Sequence, residues 1–320
     1  MEHLDSLDRK ILHELDTNSR QSYSELAKKT RSKKDTVKYR IEKLIKEEVI
    51  EGFYSVIDYS KLGFLLFRFY FQVSDISLEK KQELVTYLKN HKNISIFYRV
   101  TGKYDFSFSI WAKDVWDYEK FWDEFTEKFG TYLLDHHLAI KTKYTEFSRN
   151  YLLGKADEKE QFTVSQKSKK EELDEFDLKI ITLLSTNSRI TLVDLSRKVK
   201  TSVVTCRSRL KNLIKKKVIV GFRIKLNYEK LGYQYYKVDL WFGNMQKRSA
   251  ITQAILSHPN VIYTEKTLVT SNFEFDLEVK GFTDFISIMD SFEKKFPDDI
   301  KKYEYYTLIK NYKVNYLPSL

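Results

Sequence analysis

With 320 residues, 42% of them hydrophobic and 15% aromatic, the chain can bury several cores and is no disordered tail. One cysteine, Cys206, excludes an internal disulfide framework, and the most apolar run, Leu62 to Val73, is too short to span a bilayer and carries Arg68 in its middle. No apolar stretch follows a basic start as in a signal peptide, so a cytoplasmic protein without a membrane partner is expected, and the net charge of +11 points to a polyanion.

In chain order, Asp5 or Ser6 caps a first helix whose Leu7, Ile11, Leu12 and Leu15 have helical spacing. The tetrapeptide Thr17-Asn18-Ser19-Arg20 interrupts it, a short helix follows from a Ser22 cap, and a polar break precedes a third helix with Val37, Ile41, Leu44 and Ile45 on one face. Gly52 then sits between two β-rich stretches, as the turn of a hairpin wing would, which makes residues 1–63 a winged helix-turn-helix domain. Residues 64–150 read as strand–helix–strand–strand–helix–strand, the ferredoxin-like order. Its first helix carries Leu78, Leu84, Val85 and Leu88 on one side, and its second runs from Val115 to about Leu133. Phe106, Phe108 and Ile110 alternate toward those helices, while Phe67, Phe69 and Phe71 are assigned to the opposite face, to be covered by another sheet. Residues 151–172 are polar and aperiodic, a linker of about 22 residues that as a flexible chain reaches roughly 25 Å.

Shifted by 169, the sequence meets itself: about 61 positions from Leu4 and Leu173 align without a gap, and roughly 25 are identical. Shared features include Thr-Asn-Ser-Arg (Thr17 to Arg20, Thr186 to Arg189), Arg40 and Arg209, Val49 to Phe53 with Val218 to Phe222, and Lys-Leu-Gly (Lys61 to Gly63, Lys230 to Gly232). Residues 173–232 are therefore a second winged helix-turn-helix domain, with Ser202 capping its third helix, and residues 233–320 a second ferredoxin-like domain. The fold class is α+β, two winged helix-turn-helix domains alternating with two βαββαβ domains.

The motifs L-D-x-x-D-x-K-I-L, N-S-R, V-x-x-R-I, I-x-G-F and K-L-G together resemble the Lrp/AsnC (feast/famine) transcription regulators. The resemblance covers nearly the whole chain, twice, whereas most members carry one copy. It implies double-stranded DNA as partner, ferredoxin-like units that pair, here as an intrachain pseudo-dimer open to further self-association, and an amino-acid effector. The family's effector turn, G-x-Y-D, is matched by Gly102, Tyr104 and Asp105; the second copy aligns there as Ser271 to Glu274, without the glycine. The competing reading is a plain hairpin turn.

Charge is uneven between the readers. Residues 1–60 hold 12 basic and 12 acidic side chains, residues 173–232 hold 14 and 5, so about +9 lies in the second unit. Because phosphate neutralisation drives most DNA affinity, the second reader is expected to supply more of it. Outward residues of the third helices are the candidates for contact: Lys33, Lys34, Thr36, Lys38 and Tyr39, then Ser202, Thr205, Arg207 and Ser208, with Lys43 and Lys211 reaching the backbone. Arg40 and Arg209 match the family arginine, for phosphate contact or a local salt bridge.

Little else carries chemistry. Adjacent His136 and His137 would point to opposite sheet faces, no Cys/His spacing suggests zinc or another metal, and Cys206 aligns with the core residue Val37. His258-Pro259-Asn260 aligns with His91-Lys92-Asn93 as a helix stop. No cofactor and no catalysis are expected. Two alternatives are a fused siroheme-decarboxylase-like enzyme, for which Arg99 is the nearest ligand candidate, and a nonspecific DNA-compacting protein.

Overall fold

The computed structural model describes residues 4–154, 159–268 and 271–320. The first repeat opens with α1 (Ser6–Thr17), α2 (Tyr23–Thr30), α3 (Lys34–Lys46) and β1 (Ile50–Ile57). Asp5 and Ser22 cap α1 and α2, each in a reciprocal box with the acid three residues on, Asp8 and Glu25. There follow β2 (Leu65–Val73), α4 (Leu78–Asn90), β3 (Ile94–Thr101), β4 (Phe106–Ala112), α5 (Val115–Phe129), β5 (Leu133–Phe147) and β6 (Gln161–Ser165). The second repeat runs α6 (Glu175–Thr186), α7 (Leu192–Val199), α8 (Val203–Lys215), β7 (Ile219–Leu226), β8 (Gln234–Phe242), α9 (Arg248–Leu256), β9 (Val261–Leu268), β10 (Phe273–Val279), α10 (Phe282–Lys295) and β11 (Ile300–Val314).

The three-helix units form as expected, with one adjustment. Val37, Ile41 and Leu44 are buried on Ile11, Leu12 and Leu15, but Ile45, one step of about 100° beyond Leu44, leaves the stripe and is 43% exposed. In the second unit Ser202 caps α8 through the Thr205 N–H, and Cys206 is fully buried.

The hairpin wings are not formed. β1 continues through Gly52, which has no positive φ, with a register irregularity just before it, and pairs antiparallel with β7 of the other repeat, Tyr54 opposite Arg223. The reason is packing. Tyr54, Val56 and Ile57 of β1 bury against Ile180, Ile181 and Leu184 of α6, while Ile224 and Leu226 of β7 bury against α1. Each strand thus covers the apolar stripe of the other repeat's helices, which a hairpin folded on itself would leave wet. Backbone bonds repeat the exchange: Ser19 N–H donates to the Phe222 carbonyl and Ser188 N–H to the Phe53 carbonyl.

Below the helices, eight antiparallel strands close a ring in the order β2-β4-β3-β11-β8-β10-β9-β5, with β5 returning to β2. Each half contributes a ferredoxin-like four-stranded sheet, and the halves join at β3–β11 and β5–β9. Closure removes every free edge of those strands. Phe67, Phe69 and Phe71 do not face a second sheet. They stand directly opposite Ile110, Phe108 and Phe106, and residues opposed across a ladder share a face, so all six pack on α5 and α4. The inward face instead carries Leu66, Arg68 and Tyr70 of β2 and Ser107, Ser109 and Trp111 of β4.

The stretch expected to be a flexible linker is partly ordered. β6 adds to β5, and Phe162 and Val164 are buried. The Phe162 ring lies on Gly221, where a Cβ would come to 2.1 Å, so this position on β7 admits only glycine. Tyr151 and Leu152 close the core of the first reader. Residues 155–158 of the expected linker lie outside the described residues.

Candidate functional site

The third helix of each unit presents an uncovered polar face. Lys33, Lys34, Lys38, Tyr39 and Lys43 are exposed on or before α3, and Ser202, Thr205, Arg207, Ser208 and Lys211 on or before α8; Thr36 is half-buried. Tyr39 is 64% exposed and Val204, at the start of α8, 75%. Several candidates have local work as well. The Ser202 and Thr205 hydroxyls bond each other at the α8 cap, and Lys38 and Lys43 pair with Glu42 and Glu47 at 3.8 and 3.3 Å. Arg40 reaches Asp5 and Asp8 at 2.8 and 3.1 Å, and Arg209 reaches Asp174 and Asp177 at 2.7 and 3.0 Å. In both copies the local salt bridge therefore prevails, tying the third helix to the start of the first.

Between the two units the repeated Asn-Ser-Arg loops clasp. The Ser19 and Ser188 hydroxyls meet at 2.6 Å. The Arg20 guanidinium donates to the carbonyls of Ser188 and Ile190, and Arg189 donates to those of Ser19 and Gln21. Sequence comparison singled this motif out without giving it a task. The structure gives it one, since side chains bonded to the opposite repeat's backbone hold the two readers at one spacing.

The turn expected to hold an effector is bonded inward. Gly102 has φ +113°, and a Cβ there would lie 3.1 Å from the Tyr305 carbonyl, so the turn needs glycine for conformation and space. Tyr104 is buried in a stack with Tyr70 and Tyr306, and the Asp105 carboxylate accepts the Val73 N–H. The Asn272 side chain accepts the Phe242 N–H in the same way, and the backbone N–H groups of both residues donate to β2 and β8 at equivalent carbonyls, Phe71 and Leu240. Asp105 therefore corresponds to Asn272, and the sequence alignment of this stretch is out by two residues. The counterpart of Gly102 is residue 269, outside the described residues.

The ring encloses a chamber of about 480 Å³ whose walls are tyrosines and buried charges. Arg68, 2% exposed, contacts Glu265 and lies 2.6 Å from Glu274. Lys141 meets Glu265 at 2.5 Å, and Lys237 meets Glu265, Glu274 and Asp276 at 2.9, 3.1 and 3.3 Å. Burial, then repulsion from Glu274, pushes the Asp239 carboxyl up to about 7 despite Lys237 and Arg68. A second network links chamber to reader. Arg223 joins Asp16 of α1 at 2.6 Å to Glu146 of β5 at 2.8 Å, and Arg149 joins Asp16 to Glu278, both at 2.8 Å. Burial raises the Asp16 carboxyl, but Arg223 and Arg149 outweigh it and hold it below the usual range. None of this network was legible beforehand, because it joins residues up to 207 apart in sequence.

His91 and His258 stop their helices, each accepting the N–H two residues on through Nδ1. Arg99 is exposed on β3. Among the described residues no group of three or more His, Cys, Asp or Glu could hold a metal, and no helix is long and apolar enough to cross a membrane.

Residues 4–45 and 173–214 each match the AsnC-type helix-turn-helix domain. An uncharacterised HTH-type transcriptional regulator of Pyrococcus horikoshii is 31% identical over 118 residues, 37% of this chain and 73% of that protein. The chain belongs to the Lrp/AsnC family of transcription regulators. An HTH-type transcriptional regulator of Methanocaldococcus jannaschii is likewise 32% identical over 121 residues, 78% of its length. Each match takes 37% of this Lrp/AsnC chain, in keeping with two copies where those relatives have one. In solved structures, the siroheme decarboxylase NirDL aligns over 98% of the chain and 94% of its own at a TM-score of 0.66 and 12% identity. That likeness shows a shared fold for the Lrp/AsnC chain and nothing about chemistry.

Proposed function

We propose that the chain is a sequence-specific DNA-binding transcription regulator that acts as a single-chain pseudo-dimer and not as an enzyme. The supporting observation is the clasp of Ser19, Arg20, Ser188 and Arg189, which ties two helix-turn-helix units together while the outer faces of α3 and α8 stay uncovered. On this reading Lys33, Lys34, Thr36, Lys38, Tyr39 and Lys43 of the first reader, and Ser202, Thr205, Arg207, Ser208 and Lys211 of the second, meet phosphates and base edges, while Arg40 and Arg209 hold their helices. Double-stranded DNA is the partner. Because the two helices differ at nearly every exposed position, the operator is an imperfect palindrome. In vitro selection of sites at two salt concentrations tests this; a symmetric palindrome, or equal retardation of any DNA, refutes it.

Gly102, Tyr104 and Asp105 fit a strand-end clamp better than an amino-acid site, since both side chains are engaged. Saturable heat from an amino acid that vanishes in Asp105→Ala would restore the effector role. A second reading is a siroheme-decarboxylase-like enzyme, whose fold the whole chain shares. NirDL has been solved with an iron-uroporphyrin III analogue. A coloured complex of this chain with iron-uroporphyrin III, without specific DNA retardation, would replace the regulator reading.

A further inference from the structure

The chamber inside the ring has two unlike walls. On β10 the carboxylates are matched: Asp276 by Tyr235 and Lys237, Glu278 by Arg149 and Tyr151. At the equivalent places on β4 stand Ser109 and Trp111, which are 0% and 3% exposed and line the chamber. Neither the Ser109 Oγ nor the Trp111 Nε1 has a hydrogen-bond partner among the described residues, and nor does Nε of Arg68, which faces Ser109 across the β2–β4 ladder.

These three groups share one property. An indole N–H and a guanidinium Nε–H can only donate, and a serine hydroxyl can donate too. Three unpartnered donors on two adjacent strands of one chamber wall suit an acceptor that takes several hydrogen bonds at once, and a carboxylate has two oxygens and about four lone-pair sites. The rest of the wall mixes buried charges with tyrosines. Tyr98, Tyr144, Tyr263 and Tyr306 are among the lining residues, and aromatic side chains suit a flat aromatic body. A volume of about 480 Å³ exceeds what a single small acid fills and lies within the range of sites for drug-sized molecules.

We propose that the closed ring is an effector chamber for an aromatic carboxylic acid, its carboxylate on Arg68, Ser109 and Trp111 and its rings among the tyrosines. Its role as an effector site rests on the regulator reading above; the binding of the acid does not. Glu146 and Arg149 line the same chamber and belong to the network that holds Asp16 of the first reader, so a ligand there touches the groups that fix that reader.

Calorimetric titration of the full chain with benzoate, 2-naphthoate and anthracene-2-carboxylate, each against its carboxamide, tests the site. The expected result is saturable binding of at least one acid, with the amide about tenfold weaker. Ser109→Ala and Trp111→Phe, checked for an unchanged fold by circular dichroism, each weaken it about tenfold, the loss of one hydrogen bond to a charged acceptor. No saturable binding by any acid, or binding indifferent to both substitutions, overturns the proposal. DNA retardation, measured separately, distinguishes the two claims. A chain that binds the acid but no DNA keeps the site and loses the regulator reading, and one that binds DNA but no acid does the reverse.

Discussion

Tyr54 on β1 and Arg223 on β7 occupy the same place in the two repeats and face each other across the exchanged strands. Both reach Glu146, Tyr54 by its hydroxyl at 2.8 Å and Arg223 by its guanidinium at 2.8 Å. Only the arginine also holds Asp16. The ring shows the same divergence on a larger scale. The second half places Glu265, Glu274, Asp276 and Glu278 on the inner face, where the first half has Tyr98, Ser107, Ser109 and Trp111. Arg68, Lys141 and Arg149 of the first half then bond Glu265, Glu274 and Glu278 across the seam. A pair of first halves would bury Arg68 and Lys141 without the acids that meet them, and a pair of second halves acids without enough cations. The duplication has therefore produced complementary halves that cannot be exchanged for each other.

The largest expected effect breaks this complementarity at one residue. Arg223→Ala leaves Asp16 buried with one cation fewer and should cost about 3–5 kcal/mol, whereas Tyr54→Phe at the equivalent position should cost about 1 kcal/mol. Urea denaturation of both variants checks the ratio, and equal losses would mean that the positions have not diverged in energetic role. Next in size is choice of partner. Halves expressed as separate chains and mixed should recover mixed pairs almost exclusively, as seen by native mass spectrometry; a statistical mixture of three species would remove the charge argument.

What could be read beforehand follows from the range of each signal. Helix caps, the three-helix units and the order of strands are set by neighbours within a few residues, and Asp5, Ser22 and Ser202 cap as expected. The exchange of β1 and β7 was hidden because a strand that pairs with a distant copy has the same alternation as one that folds back. Phe69 went to the wrong face for a related reason: which side of β2 meets α5 depends on its register with β4, and no local pattern states that register. Of the two roles the sequence left open for Arg40 and Arg209, the structure shows the local salt bridge, which no local pattern could select because the partners Asp5 and Asp174 lie more than thirty residues away.

A smaller effect concerns the two readers. Glu42 and Glu47 of α3, which pair with Lys38 and Lys43, are replaced in the second copy by Lys211 and Lys216. Each phosphate contact contributes close to one unit to the slope of log affinity against log salt. Arg207→Ala with Lys211→Ala should therefore lower the slope by about 2, and Lys38→Ala with Lys43→Ala by clearly less, since those lysines are already paired. Filter binding at four salt concentrations reads both; the reverse order would make the first reader the electrostatic arm. The clasp should be even-handed by contrast. Arg20→Ala and Arg189→Ala each remove hydrogen bonds from a charged donor to two carbonyls, for about 1.5–3 kcal/mol, and the two losses should agree closely.

A pH-dependent effect separates Asp239 from its first-half equivalent, Tyr70. Burial and Glu274 raise the Asp239 carboxyl to about 7, against an ordinary value of 3.8. Between those values the folded chain keeps a proton that the unfolded chain has released, so stability from this group falls as pH rises from about 4 to about 7 and then levels. Asp239→Asn removes the titration. It should match the parent near pH 4, gain on it through the window and remain more stable above pH 7. Burial likewise pushes the Tyr70 hydroxyl above its usual value, away from this window, so Tyr70→Phe should change stability by the same amount at pH 5 and pH 8. Taking the difference between parent and variant at each pH cancels slopes from other groups, such as Lys159, which burial lowers to about 7. A difference between the parent and Asp239→Asn that stays flat from pH 4 to 8 would show that the acid excess of the second half is shared across its carboxylates and not concentrated at Asp239.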